Sequence, residues 1–325
     1  MAKSYPTRFN ASGIWKVEDA AKAVVETDWP HWPHSGIDRA VVSGGDNDEV
    51  TIDYITISTT GDAADFGDMT SYRGAFGVVS NVTRGVYMGG NPGVTDMQYI
   101  TMHTTGNTAD FGDLLAKSTY GTGGSNNTRG VYAIGYRSPA DVNVIEYITI
   151  GTLGNSADYG DLTAARRMAA NGQVCTHTRL VIMGGGYPET NVIDFVEIPT
   201  QGNAVDFGDL TGGVRRGFAG MSSITRGVSA GGDTGPGLSD VIEYVTIASH
   251  GDSTDFGNLS AANASAMGGS NAVRGVICGG ETPGYVDTID YIVIATTGDS
   301  SDFGDLTVAK SNAAVATTGH GGLGF

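Results

Sequence analysis

Six short stretches of this chain set side-chain oxygens three residues apart. They are Asp62, Asp65 and Asp68; Asn107, Asp110 and Asp113; Asn155, Asp158 and Asp161; Asn203, Asp206 and Asp209; Asp252, Asp255 and Asn258; and Asp299, Asp302 and Asp305. Oxygen donors at that density suit calcium, which takes roughly six to eight of them, and the all-aspartate first and last sets are the calcium candidates. A constructional reading competes with this one: Asp and Asn in tight loops bond backbone amides, and a feature needed once per repeated unit serves the unit before it serves a site. An arginine returns in step with these sets, at Arg39, Arg84, Arg129, Arg179, Arg226 and Arg274. Its expected role is an ion pair from one unit to the next, with one of these acids as partner. The histidines (His31, His34, His103, His177, His250 and His320) have no recurring ligand spacing, so a copper or other transition-metal centre is not expected. Asp-Phe-Gly also occurs in kinases, but here it repeats without a phosphate loop or catalytic loop, and kinase chemistry is excluded.

The elements that position these residues are themselves periodic. Asp-Phe-Gly-Asp and its variants begin at Asp65, Asp110, Asp158, Asp206, Asp255 and Asp302, always 45 to 49 residues apart. A period that long describes a module of several strands that buries its apolar faces only against copies of itself. Four short strands per unit are expected. In the second copy they fall within 73–80, within Thr83 to Gly90, within Met97 to Met102, and around Asp110 to Leu114. The third strand is the clearest, as in Ile145-Glu146-Tyr147-Ile148-Thr149-Ile150, where β-branched and aromatic residues dominate and both faces read as largely apolar. Gly-Gly closes the second strand at Gly44-Gly45, Gly89-Gly90, Gly184-Gly185, Gly231-Gly232 and Gly279-Gly280, and the third copy alone departs, with Ile134-Gly135.

This strand order, with Gly-Gly after the second strand and Tyr in the third, resembles the kelch repeat of β-propellers over roughly residues 37 to 325. Phe or Tyr (Phe66, Phe111, Tyr159, Phe207, Phe256, Phe303) stands where kelch repeats carry Trp. The first unit opens at Gly36-Ile37-Asp38-Arg39-Ala40-Val41, already a second strand, so its innermost strand must come from elsewhere. The tail from Leu306 to Val315 parallels 162–171 and stops before another second strand, so it supplies the missing one. The expectation is an all-β, six-bladed, kelch-like propeller whose first blade is closed by the last strand, preceded by an arm over residues 1–36. Closure also hides the sheet edges that would otherwise aggregate.

Composition narrows the partners. The formal charge is −17, and the arm contributes nothing to it: Lys3, Arg8, Lys16 and Lys22 balance Glu18, Asp19, Glu26 and Asp28. No basic stripe is present for phosphate attraction, so nucleic acid is not an expected partner. No apolar run is long enough to span a membrane, and the start reads as no signal peptide, so membrane insertion is not expected and any work outside a cell implies arrival by assembly or lysis. Cys175 and Cys278 fall in different units, which argues against a disulfide framework.

All three tryptophans, Trp15, Trp29 and Trp32, lie in the arm. Trp buries a large apolar area at low entropic cost, so an aromatic arm outside a self-sufficient ring reads as a tether to a partner; the alternative is that it folds back and plugs the underside of its own ring. Gly13-Ile14-Trp15, a short amphipathic stretch, then Asp28-Trp29-Pro30 is similar to a segment of tail and fibre proteins of tailed bacteriophages, whose propeller regions the repeats also resemble. The resemblance implies a non-enzymatic virion protein in a tail appendage, baseplate or capsid decoration, with other virion proteins and host surface glycans as partners and self-association in the particle an open choice. The alternative from the binding class is a glycan-recognising propeller that presents Tyr136, Tyr187 and Tyr285 near its second-to-third strand turns. The third is a glycan hydrolase, although the Ser-x-Asp-x-Gly corners at Ser156 and Ser253, which are similar to the Asp-box of sialidases, lack its Trp and no arginine cluster with a Tyr and Glu pair accompanies them.

Overall fold

The computed structural model describes residues 38–168 and 171–324. The arm, with Trp15, Trp29 and Trp32, lies outside the described residues. Strands β1 (Arg39–Ser43), β2 (Thr51–Thr56) and β3 (Ala64–Asp68) form the first antiparallel sheet, and β23 (Ala314–Thr317), the last strand of the chain, completes it beside β1. The pairing Ala40↔Thr317, Val41↔Ala316, Val42↔Val315 and Ser43↔Ala314 fixes the register of that closure. The second sheet holds β4 (Gly77–Ser80), β5 (Arg84–Met88), β6 (Val94–Thr101) and β7 (Ala109–Ser118); the third holds β8 (Thr122–Ser125), β9 (Arg129–Arg137), β10 (Ala140–Thr149) and β11 (Ala157–Asp161). The fourth has β12 (Arg179–Gly185), β13 (Thr190–Glu197) and β14 (Val205–Asp209). The fifth has β15 (Ala219–Ser222), β16 (Arg226–Ala230), β17 (Val241–Thr246) and β18 (Thr254–Asn258), and the sixth has β19 (Met267–Ser270), β20 (Arg274–Cys278), β21 (Thr288–Val293) and β22 (Ser301–Asp305). These are the blades of a six-bladed β-propeller closed by its C-terminal strand, as the repeats predict.

Blade 4 departs from four strands. Its innermost segment forms no strand among the described residues and meets β12 through the bridge Cys175↔Leu180 and the bonds from the Val181 amide to the Val174 carbonyl (2.9 Å) and from the Thr176 amide to the Arg179 carbonyl (2.8 Å). Blade 3 departs where Gly-Gly is missing: β9 and β10 run on past Ile134-Gly135 into a long hairpin, pairing Arg137 with Ala140.

Apolar residues collect at six seams between neighbouring blades rather than in one centre. The first joins Val41, Ile52 and Phe66 of blade 1 to Phe76, Tyr87 and Ile100 of blade 2, and the last joins Phe303 and Leu306 to Val42, Ile57 and Val315. Each seam is a nearest-neighbour interface, so the ring's stability is spread around the circle and depends on the circle being closed.

The Asp-Phe-Gly-Asp corner is a seam device. In blade 2, Gly112 has φ +143, and a Cβ there would sit 2.4 Å from the Gly154 carbonyl oxygen of blade 3, so both backbone shape and space demand glycine. The blade 3 loop lies along this corner: Gly154 N donates to Phe111 O and Ser156 N to Asp113 O, both at 2.9 Å, while Asn155 Oδ1 accepts from Asp113 N. The pattern runs round the ring to its closing seam, where Gly61 N meets Phe303 O at 2.8 Å and Asp62 Oδ1 accepts from Asp305 N. The corner of each outer strand is thereby bonded to the loop of the next blade, which shields part of its edge at the rim.

Candidate functional site

The recurring arginines do cross from blade to blade, but not to carboxylates. Arg39, Arg84, Arg129, Arg179, Arg226 and Arg274 donate to the carbonyls of Met102, Ile150, Ile198, Ile247, Ile294 and Ile57 in the following blades, at 2.8 to 3.3 Å. Each guanidinium lies 4.3 to 4.8 Å from the third-strand aromatic ring of its own blade: Tyr54, Tyr99, Tyr147, Phe195, Tyr244 or Tyr291. That ring in turn makes an edge contact with the Phe or Tyr of the fourth strand, centroids 6.0 to 6.1 Å apart. Among the described residues only Arg179 of the six forms an ion pair, with Glu197 of its own strand pair, so the expected acid-bridged girdle is corrected to a cation–π and carbonyl girdle. The reason is geometric: third strands end on free carbonyls that face the seam, whereas the corner acids point to the rim.

Nor are those acids gathered as their spacing suggests. Asp65 and Asp68 stand exposed in β3 and Asp302 and Asp305 in β22, while Asp62 and Asp299 use an oxygen each on an amide of the preceding blade. Desolvation and the neighbouring Asp287, Asp62 and Asp302 push the Asp305 carboxyl above its ordinary range. Among the described residues no three Asp, Glu, His or Cys side chains converge as a metal group.

The axle is closed at both ends. Call the face with the second-to-third and fourth-to-first connections the upper one. There Ala75, Tyr120, Met168, Gly217, Ser265 and Asn312, one per blade, form a collar in which each amide donates to the preceding blade's carbonyl. The distances are 2.6 Å (Tyr120 to Ala75), 3.0, 2.8, 2.6 and 3.0 Å onward, and 2.6 Å from Ala75 back to Asn312. All six are left-handed, five of them with φ between 51 and 58° as non-glycine residues and Gly217 at 58°. Non-glycine residues held there cost about 1–2 kcal/mol each, which the closed circle of bonds over-determines.

The lower end is corked by the tail. Beyond β23 the chain turns inward through Thr318 and a single 3-10 turn, Gly321–Leu323, with His320 buried. His320 Nε2 lies 3.0 Å from Ser80 O, Nδ1 accepts from Gly322 N, and Cys175 Sγ sits 3.5 Å from Nδ1. Ser80, Ser125, Gln173, Ser222 and Ser270, from successive innermost segments, satisfy one another around this plug. The C-terminal turn thus fills the lower end of the axle, while the arm of the folded-back alternative lies outside the described residues. A thiol beside an imidazole suggests a nucleophile, but burial drives both groups neutral, the Cys175 thiol up to about 12 and the His320 imidazole down to about 4.

That burial has a measurable consequence. His320 keeps its lowered value only while folded, so its contribution is fully present above the ordinary imidazole range. It is lost as pH falls from about 6.5 to about 4, where the unfolded chain binds a proton the native one refuses. The loss amounts to about 3 kcal/mol on a tenfold-per-1.36 kcal/mol scale. Unfolding free energies from urea melts at pH 7.5 and 4.5 should differ by about 2.5 kcal/mol more in the native protein than in His320→Gln; equal differences would remove His320 from the acid response.

On the upper face, Tyr136 and Tyr187 are brought together and Tyr285 is not. Arg167 lies 4.6 Å from the Tyr136 ring centroid, 4.0 Å from Tyr187 and 5.7 Å from Tyr120, and Arg216 lies 4.4 Å from Tyr187. Asp141 pairs with Arg167, and Glu189 and Asp233 pair with Arg216. Burial works against the Asp233 charge, but the Gly235 amide and Arg216 outweigh it and hold the carboxyl below its usual value. Tyr120 joins this cluster to a shallow depression over the collar, and burial and then Asp46 raise its hydroxyl's pKa. Tyr285 stands in the blade 6 loop, bridged to Glu281, and makes no ring contact with the cluster among the described residues.

Sequence reading missed a second set of charges, inside the blades. The third strand carries an acid or amide just before its aromatic residue: Asp53, Gln98, Glu146, Asp194, Glu243 and Asp290. Asp53, Glu146, Asp194 and Glu243 are buried and each meets a cation: Lys310 (3.2 Å), Arg137, Arg166 (3.1 Å) and Arg215. In blade 2 the neutral Gln98 leaves Arg73 to pair with Asp96. The expectation of two apolar faces is corrected accordingly: one face of the third strand buries an ion pair. The signal was present, an acid repeated within an otherwise apolar strand.

In comparisons with known proteins, no family model matches the chain and no curated protein matches it.

Proposed function

We propose that this propeller is a non-enzymatic structural protein of a tailed-phage particle, displayed at its surface as a tail appendage, baseplate component or capsid decoration. Residues 1–36 dock it to another virion subunit, and the upper-face loops remain free for host or subunit contact. The observation that carries the display geometry is the junction of the two chain ends: Thr318 N donates to Arg39 O, and Arg39 N to Thr318 Oγ1. Arg39, beside the first described residue, therefore lies at the lower face, opposite the Arg167–Tyr187 cluster. The packing of the axle by the collar and by the His320 turn supports a structural role. The phage assignment itself rests on the Trp15 and Trp29 segments and the repeat pattern. Mass spectrometry of purified particles tests it: the chain should be present, and deletion of 1–36 should leave a folded, unincorporated protein. A chain absent from particles, or one still incorporated without its arm, would overturn the reading.

A glycan-binding role has a specific observation in its favour, the convergence of Tyr136 and Tyr187 on Arg167. Arg167 and Arg216 occupy positions over the Tyr187 ring, so a sugar would meet hydroxyl and guanidinium donors rather than a bare aromatic face. Retention of host polysaccharide by the soluble ring, lost in Tyr187→Ala, would favour this role over the first.

A further inference from the structure

Among the described residues, blade 6 lacks the internal cation that the other five blades supply. In blade 5, Arg215 gives Nη1 to the carbonyls of Gly231 and Val241, both at 2.9 Å, and Nη2 to Glu243. Its counterpart in blade 6 is Asn263. Each stands two residues before its blade's collar residue, and each bonds the carbonyl of the first glycine after the second strand, Gly231 or Gly279. The Asn263 amide ends there, well short of where a guanidinium would reach.

The hydrogen-bond acceptors that Arg215 meets have counterparts in blade 6, although Ala266 stands where Phe218 lies against the guanidinium in blade 5. Asp290 replaces Glu243 and accepts from the Ser260 and Ser300 hydroxyls, both at 2.7 Å, yet it belongs to no ion pair among the described residues. The Thr288 carbonyl, which replaces that of Val241, receives the Gly279 amide at 2.9 Å and, among the described residues, no side chain. The space left is a cavity of about 130 Å³. Asn263, Thr288 and Asp290 form its polar side, and Leu259, Ile277 and Val286 its apolar side. Asp290 is half-buried where Asp53, Glu146, Asp194 and Glu243 are fully so, because this cavity opens it to solvent.

We propose that the cavity binds a small organic cation, an alkylguanidinium or alkylammonium group, in the place taken by Arg215 in blade 5. A carboxylate and a spare carbonyl supply directed acceptors, the apolar side takes an alkyl stem, and the net charge of −17 draws cations to the surface. The group arrives either on a free small amine or at the end of a partner's basic side chain. This inference does not depend on the particle-surface reading.

Calorimetric titration of the full chain with ethylguanidinium at low ionic strength tests it. One saturable site per chain is expected, weakened about tenfold or more in the near-isosteric Asp290→Asn and lost in Asn263→Arg, whose own guanidinium fills the cavity and raises the melting temperature. N-acetyl-arginine amide separates the sources: binding as tight as ethylguanidinium assigns the site to a side chain, and binding of ethylguanidinium alone assigns it to a free amine. Absence of saturable binding, or binding unchanged in both variants, would overturn the proposal; either variant alone decides if the other fails to fold.

Discussion

A chain ending at Asp305 is expected to lose its cooperative unfolding transition and to self-associate. The removed segment supplies β23, so the Val41–Ala316 and Val42–Val315 pairings vanish and β1 becomes an open, apolar edge. It also takes Lys310 from the buried Asp53, an uncompensated charge worth about 3–5 kcal/mol on its own. Asn312 leaves the collar, its bond to Asp46 goes with it, and the His320 plug leaves the lower end of the axle. Two of the six apolar seams lose Ala313 to Ala316 together. These losses together exceed the roughly 5–15 kcal/mol by which a typical domain is stable. Urea denaturation followed by circular dichroism, with size-exclusion chromatography, reads both effects, and a peptide of residues 306–324 added in trans should restore the transition. A truncated chain that is monomeric and melts with the native midpoint would show that the ring does not need its last strand.

Arg215→Ala is expected to be the most damaging single truncation of a polar side chain, by about 3–5 kcal/mol. Arg215 and Glu243 are almost wholly inaccessible, at 0% and 1% side-chain exposure, so removal of the guanidinium strands a carboxylate with no water to replace it. Glu243 keeps the Thr211 and Ser253 hydroxyls and the Gly212 amide, which hold it in place without neutralising it. Burial already lowers the Arg215 pKa, against the pull of Glu243, so the pair is held by mutual need rather than by surplus attraction. Arg215→Met combined with Glu243→Gln removes the charge but retains an acceptor for those donors, and should lose clearly less than Arg215→Met alone. Equal losses, measured by urea melts, would mean that packing rather than the stranded charge sets the cost.

The parts of the fold that repeat in side chains were legible. Asp-Phe-Gly-Asp, Gly-Gly and the Ile-Asp-Tyr-Ile strand mark corner, exit and core because each needs a particular residue type, and the unpaired second strand at Arg39 pointed to closure by the tail. Parts made of backbone were not legible. The collar uses Ala75, Tyr120, Met168, Gly217, Ser265 and Asn312, which share a conformation and no chemistry. The arginine girdle was placed at the right seams and given the wrong acceptor, because a strand-end carbonyl leaves no trace in the sequence. In blade 3, Ser118 stands where blades 1, 2, 4 and 5 carry the inward cation, and Arg137 reaches Glu146 from the long hairpin instead, an exchange that only the fold reveals. Of the candidate contact residues, Tyr136 and Tyr187 were found by their loops, whereas their meeting depends on Arg167 and Arg216, two cations masked by a −17 chain.

Hydrogen exchange at the collar amides tests the closed six-fold ring most directly. The amides of Ala75, Tyr120, Met168, Gly217, Ser265 and Asn312 should exchange only through global unfolding, with one shared protection free energy equal to that from urea denaturation. Exchange of any of them at the rate of exposed loops such as that around Thr282 would contradict a sealed axle, and with it the wheel of mutually supporting blades.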